Sequence, residues 1–494
     1  MILDRAKGSI VGTIGPASDT PEMLEKLIDV GLDVVRLNLS HGTHDDHRKR
    51  FETIRDVNDQ IPILMDLSGP KIRVGQMEKA VTLEKDQSLI ITSENVVGTK
   101  EKFSISYPDL INQAIVGNHL FINDGLIEVE VIEKKKSELI CKVIAGGPMS
   151  SRKGVNTPGI PIQLYAPTKK DLKDIAFSSK LEPDFFSVSF VRRKEDLAAV
   201  REEIALYTTD EIPLISKIEH QDGLDNLDDV LKHSNGIMVA RGDLGVELPP
   251  ETIPMIQSRL VKRCNELAMP CIVATQMLES MVNSPKPTRA EASDVATAIL
   301  QGADAVMLSA ETATGNFPVE AVDMMDKIIR NVQDKTSVKT SNFSLEKSSV
   351  AESIGRAAVS LADGLDADII IAFTRTGSSS TLVSKFRPTQ QILAITPSIK
   401  TARRARLKWG VVPHLINRDY IDSDEMIYTG IKTAYNDKLI DRNDRAVVVA
   451  GSLLGLPSST NLITFVKVDD IISSLDAQDK FTKAYTLSTD KDNV

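Results

Sequence analysis

Two carboxylates, Glu219 and Asp243, lie in or just after apolar runs, and Lys217 precedes the first by two residues. Carboxylates are hard oxygen ligands, and a pair of them with room for water or substrate oxygens suits Mg²⁺ or Mn²⁺ rather than zinc. Side chains at i and i+2 of a strand share a face, so Lys217 and Glu219 point the same way. An ammonium beside a divalent ion stabilises charge developing on a substrate oxygen. Arg36 and Arg73 offer planar forks for phosphate. Gly242-Asp243-Leu244-Gly245 reads as a tight turn whose N–H groups can hold a carboxylate. Metal, lysine, arginines and anion nest together describe phosphoryl or enolate chemistry.

Other apolar runs end in the same manner. The polar closures are Arg36-Leu37-Asn38-Leu39-Ser40-His41-Gly42, Asp66 followed by Ser68-Gly69-Pro70-Lys71-Ile72-Arg73, Thr275-Gln276, and Ser309 with Glu311-Thr312. Taken singly each has a bland reading: a strand-end Lys is usually a solvated or paired charge, and an Asp after Gly is usually a turn or helix cap. Six strand ends doing this together favour a common rim.

The elements that must position these groups are Ser9–Ile14, Asp33–Leu39, Ile61–Leu67, Asp184–Phe190, Ile212–Glu219, Gly236–Ala240, Cys271–Gln276 and Ala305–Ser309. They are rich in Val and Ile without clean alternation, as strands covered on both faces are. Helical spacing fills the intervals, as in 21–30, opened by Thr20-Pro21, and 194–205. Eight strand–helix units predict a closed parallel (β/α)₈ barrel, with reactive groups at the C-terminal strand ends.

The interval between the third and fourth strands is too long for an unstructured loop. Strand-like 80–93, 120–134 and 138–144, with turns at Asn123-Asp124-Gly125 and Gly146-Gly147-Pro148, predict an inserted β domain over 72–160, hinged above the barrel (1–71 and 161–335). After a helix at 318–332, the polar stretch 334–349 reads as a linker. A C-terminal α/β domain follows over 350–470, with strands at 367–373, 391–396, 410–415 and 446–450 and a further one near 465–468. Residues 471–494 form a weakly patterned tail.

The bulk numbers exclude other classes. The 494 residues carry 41% hydrophobic and 26% charged side chains, a net charge of −10 and a mean hydropathy of −0.10. That is globular composition without the basic face of a nucleic-acid binder. Apolar runs are too short to span a membrane, and there is no signal-peptide pattern. Three scattered cysteines, Cys141, Cys264 and Cys271, have neither disulfide nor metal spacing; buried thiols in a cytoplasmic protein are expected.

At these residues the chain resembles the pyruvate kinase family over about residues 8–468. The matching stretches are 13–18, 36–42, 154–156, 215–219, IMVARGDLG at 237–245, ATQMLESM at 274–281, PTRAEASDVA at 287–296 and MLSAETA at 307–313. The resemblance implies phosphoryl transfer from phosphoenolpyruvate to ADP. Glu219 and Asp243 would hold Mg²⁺ or Mn²⁺, Lys217 would stabilise the transfer state and the enolate, and Arg36 would bind the phosphoryl group. Gly242, Asp243 and Thr275 would hold the substrate carboxylate. Thr275 and Ser309 would lie on the enolate's protonation path, and Pro16, Asn38, His41 and Arg73 near the nucleotide. The inserted domain would be a lid, and the family is typically homotetrameric.

One departure concerns the monovalent cation. Members that need K⁺ hold it through residues matching Asn38, Ser40, Asp66 and the carbonyl of Leu67, and carry Thr, Lys and Glu where this chain has Leu67, Ser68 and Lys71. Lys71 is expected to place its ammonium in the ion's position, paired with Asp66, so that K⁺ is not required. In the C-terminal domain, Thr374, Thr376, Gly377, Ser378 and Ser379 follow a strand and are expected to bind the phosphate of an effector through hydroxyls and N–H groups. Segment 451–461 lacks the arginine-containing loop of members activated by fructose 1,6-bisphosphate. A metal-dependent aldolase or lyase acting on pyruvate-like enolates, and a non-catalytic sensor, are the alternatives to a kinase.

Overall fold

A computed structural model of the chain describes residues 5–335, 349–416, 418, 422–451 and 460–474. The eight expected strands form: β1 (Ser9–Thr13), β2 (Val34–Asn38), β3 (Ile63–Asp66), β4 (Phe185–Val188), β5 (Leu214–Ile218), β6 (Gly236–Ala240), β7 (Cys271–Ala274) and β8 (Ala305–Leu308). They pair in parallel around a closed barrel, and β1 meets β8 with Ser9 opposite Ala305. Helices follow the strands. Thr43, Thr168 and Thr288 begin three of them in reciprocal capping boxes with Asp46, Asp171 and Glu291.

The barrel interior is filled by Val11, Val34, Leu64, Phe185, Ile215, Met238, Ile272 and Met307. Leu407, from the C-terminal half of the chain, joins this cluster and is buried. The floor of the barrel is therefore closed by another part of the protein. Around Leu407, Ser9 Oγ donates to Arg406 O (2.5 Å), Gly410 N to Lys7 O (2.7 Å) and Trp409 N to Asp304 Oδ1 (3.2 Å). Arg387 pairs with Asp304 at 3.0 Å and donates to Gly302 O at 2.8 Å.

Between β3 and β4 the chain builds a seven-stranded sheet and a two-stranded sheet over their own apolar core, which includes Ile91, Phe103, Leu120, Val129 and Val143. The expected run 80–93 is two strands in different sheets, Val81–Leu83 and Ser88–Thr92, separated by a turn with Asp86 at φ 65°. Gly147 and Pro148, expected with Gly146 to form a turn, belong to the strand Gly147–Met149, paired with Val81–Leu83. Its neighbour Gly146 packs so closely that a Cβ there would stand 2.3 Å from Leu83 O. The turn at Asn123-Asp124-Gly125 forms, all three with positive φ.

The C-terminal stretch forms a five-stranded sheet in the order Val411–Leu415, Gln391–Thr396, Ile369–Phe373, Arg445–Ala450 and antiparallel Leu462–Lys467. The helix expected at 318–332 runs on to Lys335, and 336–348 of the expected linker lie outside the described residues. So do 452–459 of the segment 451–461, and 475–494 of the tail. Ile471 and Ile472 pack into the core of this sheet. All three cysteines are buried free thiols. Among the described residues no helix is long and apolar enough to cross a membrane.

Candidate active site

Register carries the polar strand ends to one rim: Asn38 lies opposite Asp66, and Asp66 opposite Ser187. Asp66 is buried at the centre. Its Oδ2 accepts from Arg36 Nε (2.8 Å) and Nη2 (2.5 Å), its Oδ1 accepts from Ser187 Oγ (2.6 Å), and Lys217 Nζ stands 3.6 Å away. Burial pushes this carboxyl upward, but Lys217 and then Arg36 outweigh it and hold it below the usual range. The remaining Arg36 nitrogen, Nη1, donates to Thr13 Oγ1 at 2.8 Å, so the guanidinium is fixed in plane.

Lys217 donates to Ser189 Oγ (2.7 Å) and lies 3.1 Å from Glu219 Oε1. Burial works against its charge, yet Asp66 and Glu219 keep its ammonium above the ordinary range. Glu219 Oε2 accepts the Phe190 N–H at 2.7 Å, which Phe190 presents from a left-handed conformation (φ 55°). Backbone held in this sparsely populated region clusters at functional sites. Glu219 Oε1 is buried against the Lys217 ammonium. Burial raises this carboxyl, with Lys217 opposing and Asp243 adding to the rise.

Gly242-Asp243-Leu244-Gly245, expected to be a tight turn, opens a helix, Arg241–Glu247. Burial favours the neutral form of Asp243, but Lys71 and Lys217 hold its carboxyl below the usual range. Gly242 N donates to Thr275 Oγ1 at 2.8 Å. Thr275 and Gln276 both have positive φ (69° and 54°), and Arg241 braces this corner by donating to Thr275 O at 2.6 Å and to Asp294 at 2.7 Å. Ser309 N–H is bound by Glu311 Oε2 at 2.7 Å, while Glu311 Oε1 accepts from Leu278 N at 3.2 Å.

The expected Lys71–Asp66 pair does not form. Lys71 ion-pairs with Asp243 and lies 3.7 Å from Asp124. Asp66 is enclosed beneath by Arg36, Ser187 and Lys217, whereas the Lys71 side chain runs along Gly154, where a Cβ would meet Lys71 Cε at 2.7 Å. Of the other positions matched to the monovalent cation, Asn38 Oδ1 accepts from Ser40 N (3.0 Å) and the Leu67 carbonyl accepts from Ser189 Oγ (2.8 Å).

On the nucleotide side, Pro16 and His41 are exposed, and Arg73 donates to Arg152 O at 3.0 Å. Burial, then Arg73, Arg36 and Lys170, hold the His41 imidazole below its ordinary value, so this edge of the rim is cationic. Lys170 escaped the sequence reading. Its ammonium reaches Leu39 O (2.6 Å), Ser68 Oγ (3.1 Å) and Asp174. Its one signal was the basic pair Lys169-Lys170 after the capping Thr168. Ser187 and Ser189 were missed too: they are the polar contribution of β4 and its C-terminal end, the fourth of the eight strands, and short hydroxyls within an apolar run gave no signal.

In the C-terminal sheet, the loop after Ile369–Phe373 closes on itself. Gly377 (φ 89°) donates its N–H to Thr374 Oγ1 at 2.9 Å, and Thr376 Oγ1 donates to Ser378 Oγ at 3.3 Å. Ser379 Oγ is buried against Thr460 Oγ1 (2.8 Å).

The donor set fits Mg²⁺ or Mn²⁺. Two carboxylates converge, Glu219 fully buried and Asp243 partly exposed, with the Lys217 ammonium 3.1 Å from Glu219 Oε1. Such a pair leaves positions for water and substrate oxygens.

Comparison with known proteins identifies the family. Residues 5–322 match the family described as "Pyruvate kinase, barrel domain" and residues 352–466 the one described as "Pyruvate kinase, alpha/beta domain". A protein named pyruvate kinase from Staphylococcus haemolyticus is 42% identical over 477 residues, which cover 94% of this chain and 81% of that protein. Those of Staphylococcus epidermidis and Staphylococcus aureus, at 42% and 41% identity, also align over 81% of their length and over 94% and 95% of this chain. With barrel, rim and both matched regions in accord, the chain belongs to the pyruvate kinase family.

Proposed function

We propose that this protein moves the phosphoryl group of phosphoenolpyruvate onto ADP, giving pyruvate and ATP. The observation that carries the reading is the meeting of Lys217, Glu219, Asp243 and the Gly242–Thr275 corner on one rim. Bound Mg²⁺ or Mn²⁺, held by Glu219 and Asp243, would neutralise charge shared by the substrate's phosphate and carboxylate. Arg36, fixed by Asp66 and Thr13, offers its guanidinium to the transferring group. Lys217 keeps its proton and stabilises the transfer state and the enolate oxygen left behind. The N–H groups of Gly242 and Asp243 and the Thr275 hydroxyl hold the carboxylate. Thr275 Oγ1, with Ser309 nearby, lies on the path by which the enolate carbon gains its proton.

Pro16, Asn38, His41 and Arg73, joined by Lys170, form the nucleotide side, and residues 72–160 act as a lid that excludes water. Lys71 supplies fixed positive charge beside Asp243, which supports turnover without K⁺. The same reading carries a cytoplasmic homotetramer and a phosphorylated effector at Thr374, Thr376, Gly377, Ser378 and Ser379, testable by sedimentation and by effector titration of wild type against Ser378→Ala. Neither alternative has a specific observation in its favour: a sensor has no need of the converged lysine and carboxylates, and an aldolase or lyase has none of the cationic nucleotide edge.

The test is a coupled assay of pyruvate formation from phosphoenolpyruvate and ADP. Activity should need Mg²⁺ and fall by roughly 10²–10³ or more in Lys217→Met. Folded wild type that forms no pyruvate refutes the reading.

A further inference from the structure

The helix Arg241–Glu247 has work at both ends. Its first turn presents Gly242 and Asp243; its last residue, Glu247, has a largely buried side chain whose Oε2 stands 3.8 Å from His220 Nε2 and whose other oxygen reaches the inserted sheet. There Glu247 Oε1 accepts from Asn156 Nδ2 at 2.8 Å, and Asn156 belongs to the strand Gly154–Asn156, which pairs with Ile72–Arg73. Next to it, a Cβ on Gly125 would stand 3.5 Å from Val246 Cγ2, so the 123–125 turn rests on the same helix. A few residues on, where the chain returns to the barrel, Arg192 Nη1 holds the Ile162 carbonyl at 2.8 Å. The inserted sheet thus touches the short helix that carries the carboxylate-binding turn, through a buried amide–carboxylate contact.

We propose that Glu247 is a positioning residue: with Asn156 it latches the lid to the helix Arg241–Glu247, so that the lid's position sets where Gly242 and Asp243 stand. A rigid helix of this length passes displacement at one end to the other. The contact spans two otherwise separate cores, and buried amide–carboxylate pairs are costly to leave unmatched. The latch rests on the proposed reaction, because it is through Gly242 and Asp243 that it matters to turnover.

A reciprocal exchange tests it. Asn156→Asp puts two carboxylates face to face and should lower kcat/KM for phosphoenolpyruvate by roughly tenfold to a hundredfold, chiefly through kcat. Adding Glu247→Gln restores an amide–carboxylate pair in the opposite sense and should return kcat/KM to within about threefold of wild type. Hydrogen exchange at 154–162 should quicken in Asn156→Asp and slow again in the double variant. If the double variant is no better than Asn156→Asp in either readout, the proposal is wrong. Should Asn156→Asp not fold, Glu247→Ala is compared with Glu247→Ala/Asn156→Ala: equal losses support the latch, and additive losses overturn it. The exchange readout needs no substrate, so it decides the latch even if the proposed reaction fails in the coupled assay.

Discussion

Gly242 and Thr275, at the ends of neighbouring strands, share one hydrogen bond: the glycine N–H donates to the threonine hydroxyl at 2.8 Å. A Cβ on Gly242 would come within 3.3 Å of that oxygen, so the glycine lets the backbone approach. Thr275→Val keeps the shape and deletes the hydroxyl, freeing the Gly242 N–H and removing one proposed ligand of the substrate carboxylate. Turnover of phosphoenolpyruvate should drop by roughly 10²–10³, as for loss of one preorganised donor. The far-ultraviolet circular dichroism and melting temperature should stay near wild type.

Lys71 pairs with Asp243, and by the resemblance drawn from the sequence, Glu would stand at its position in members that need K⁺. Wild type should turn over equally well in K⁺-free and K⁺-containing buffer. Lys71→Glu reverses the charge and should be poorly active without K⁺ and recover substantially on adding it. A wild-type rate that climbs severalfold with K⁺ counts against the role given to Lys71.

Leu407 fills the barrel floor from another part of the chain. Leu407→Ala should destabilise the protein by about 2–5 kcal/mol, since the cavity opens between two packed units that cannot easily collapse. Chemical denaturation reads the loss directly. The KM values should move little, because the rim lies at the opposite end of the strands.

Asp33 accepts the Ile10 N–H at 3.0 Å near Arg5 and Arg406, and burial raises its carboxyl to about 6. A carboxyl raised on folding contributes stability when protonated. That contribution is complete below the unfolded value, about 3.9, and is lost as pH rises through about 6. Asp33→Asn keeps an acceptor for Ile10 and stays neutral. Its melting temperature should exceed wild type at pH 7.5 by about 2–4 °C, with the gap closing on acidification toward pH 4.

The barrel was legible because its strands are short Val- and Ile-rich runs with helical spacing between them, and the meeting of Lys217, Glu219 and Asp243 because all three stand at or just after strand ends. Ser187 and Ser189 were not legible: a hydroxyl inside an apolar strand gives no periodic signal, and its value depends on which buried charge stands opposite. Lys71 shows a second limit. Its charge was readable, but its partner was decided by the path of Gly154 and by Arg36 having already claimed Asp66. The split at Asp86 and the pairing of Gly147–Met149 depended on contacts between distant strands, which local propensity does not encode.

The barrel closes by pairing Ser9 with Ala305. On the ribosome, the first strand must therefore wait for about 300 more residues, some 15–60 s of synthesis at typical rates, before its second neighbour exists. The inserted sheets pair only strands that lie within residues 72–156 and can form well before that. A nascent chain would carry a finished inserted sheet beside an open half-barrel with bare Val and Ile edges, the stage at which chaperones have the most to hold.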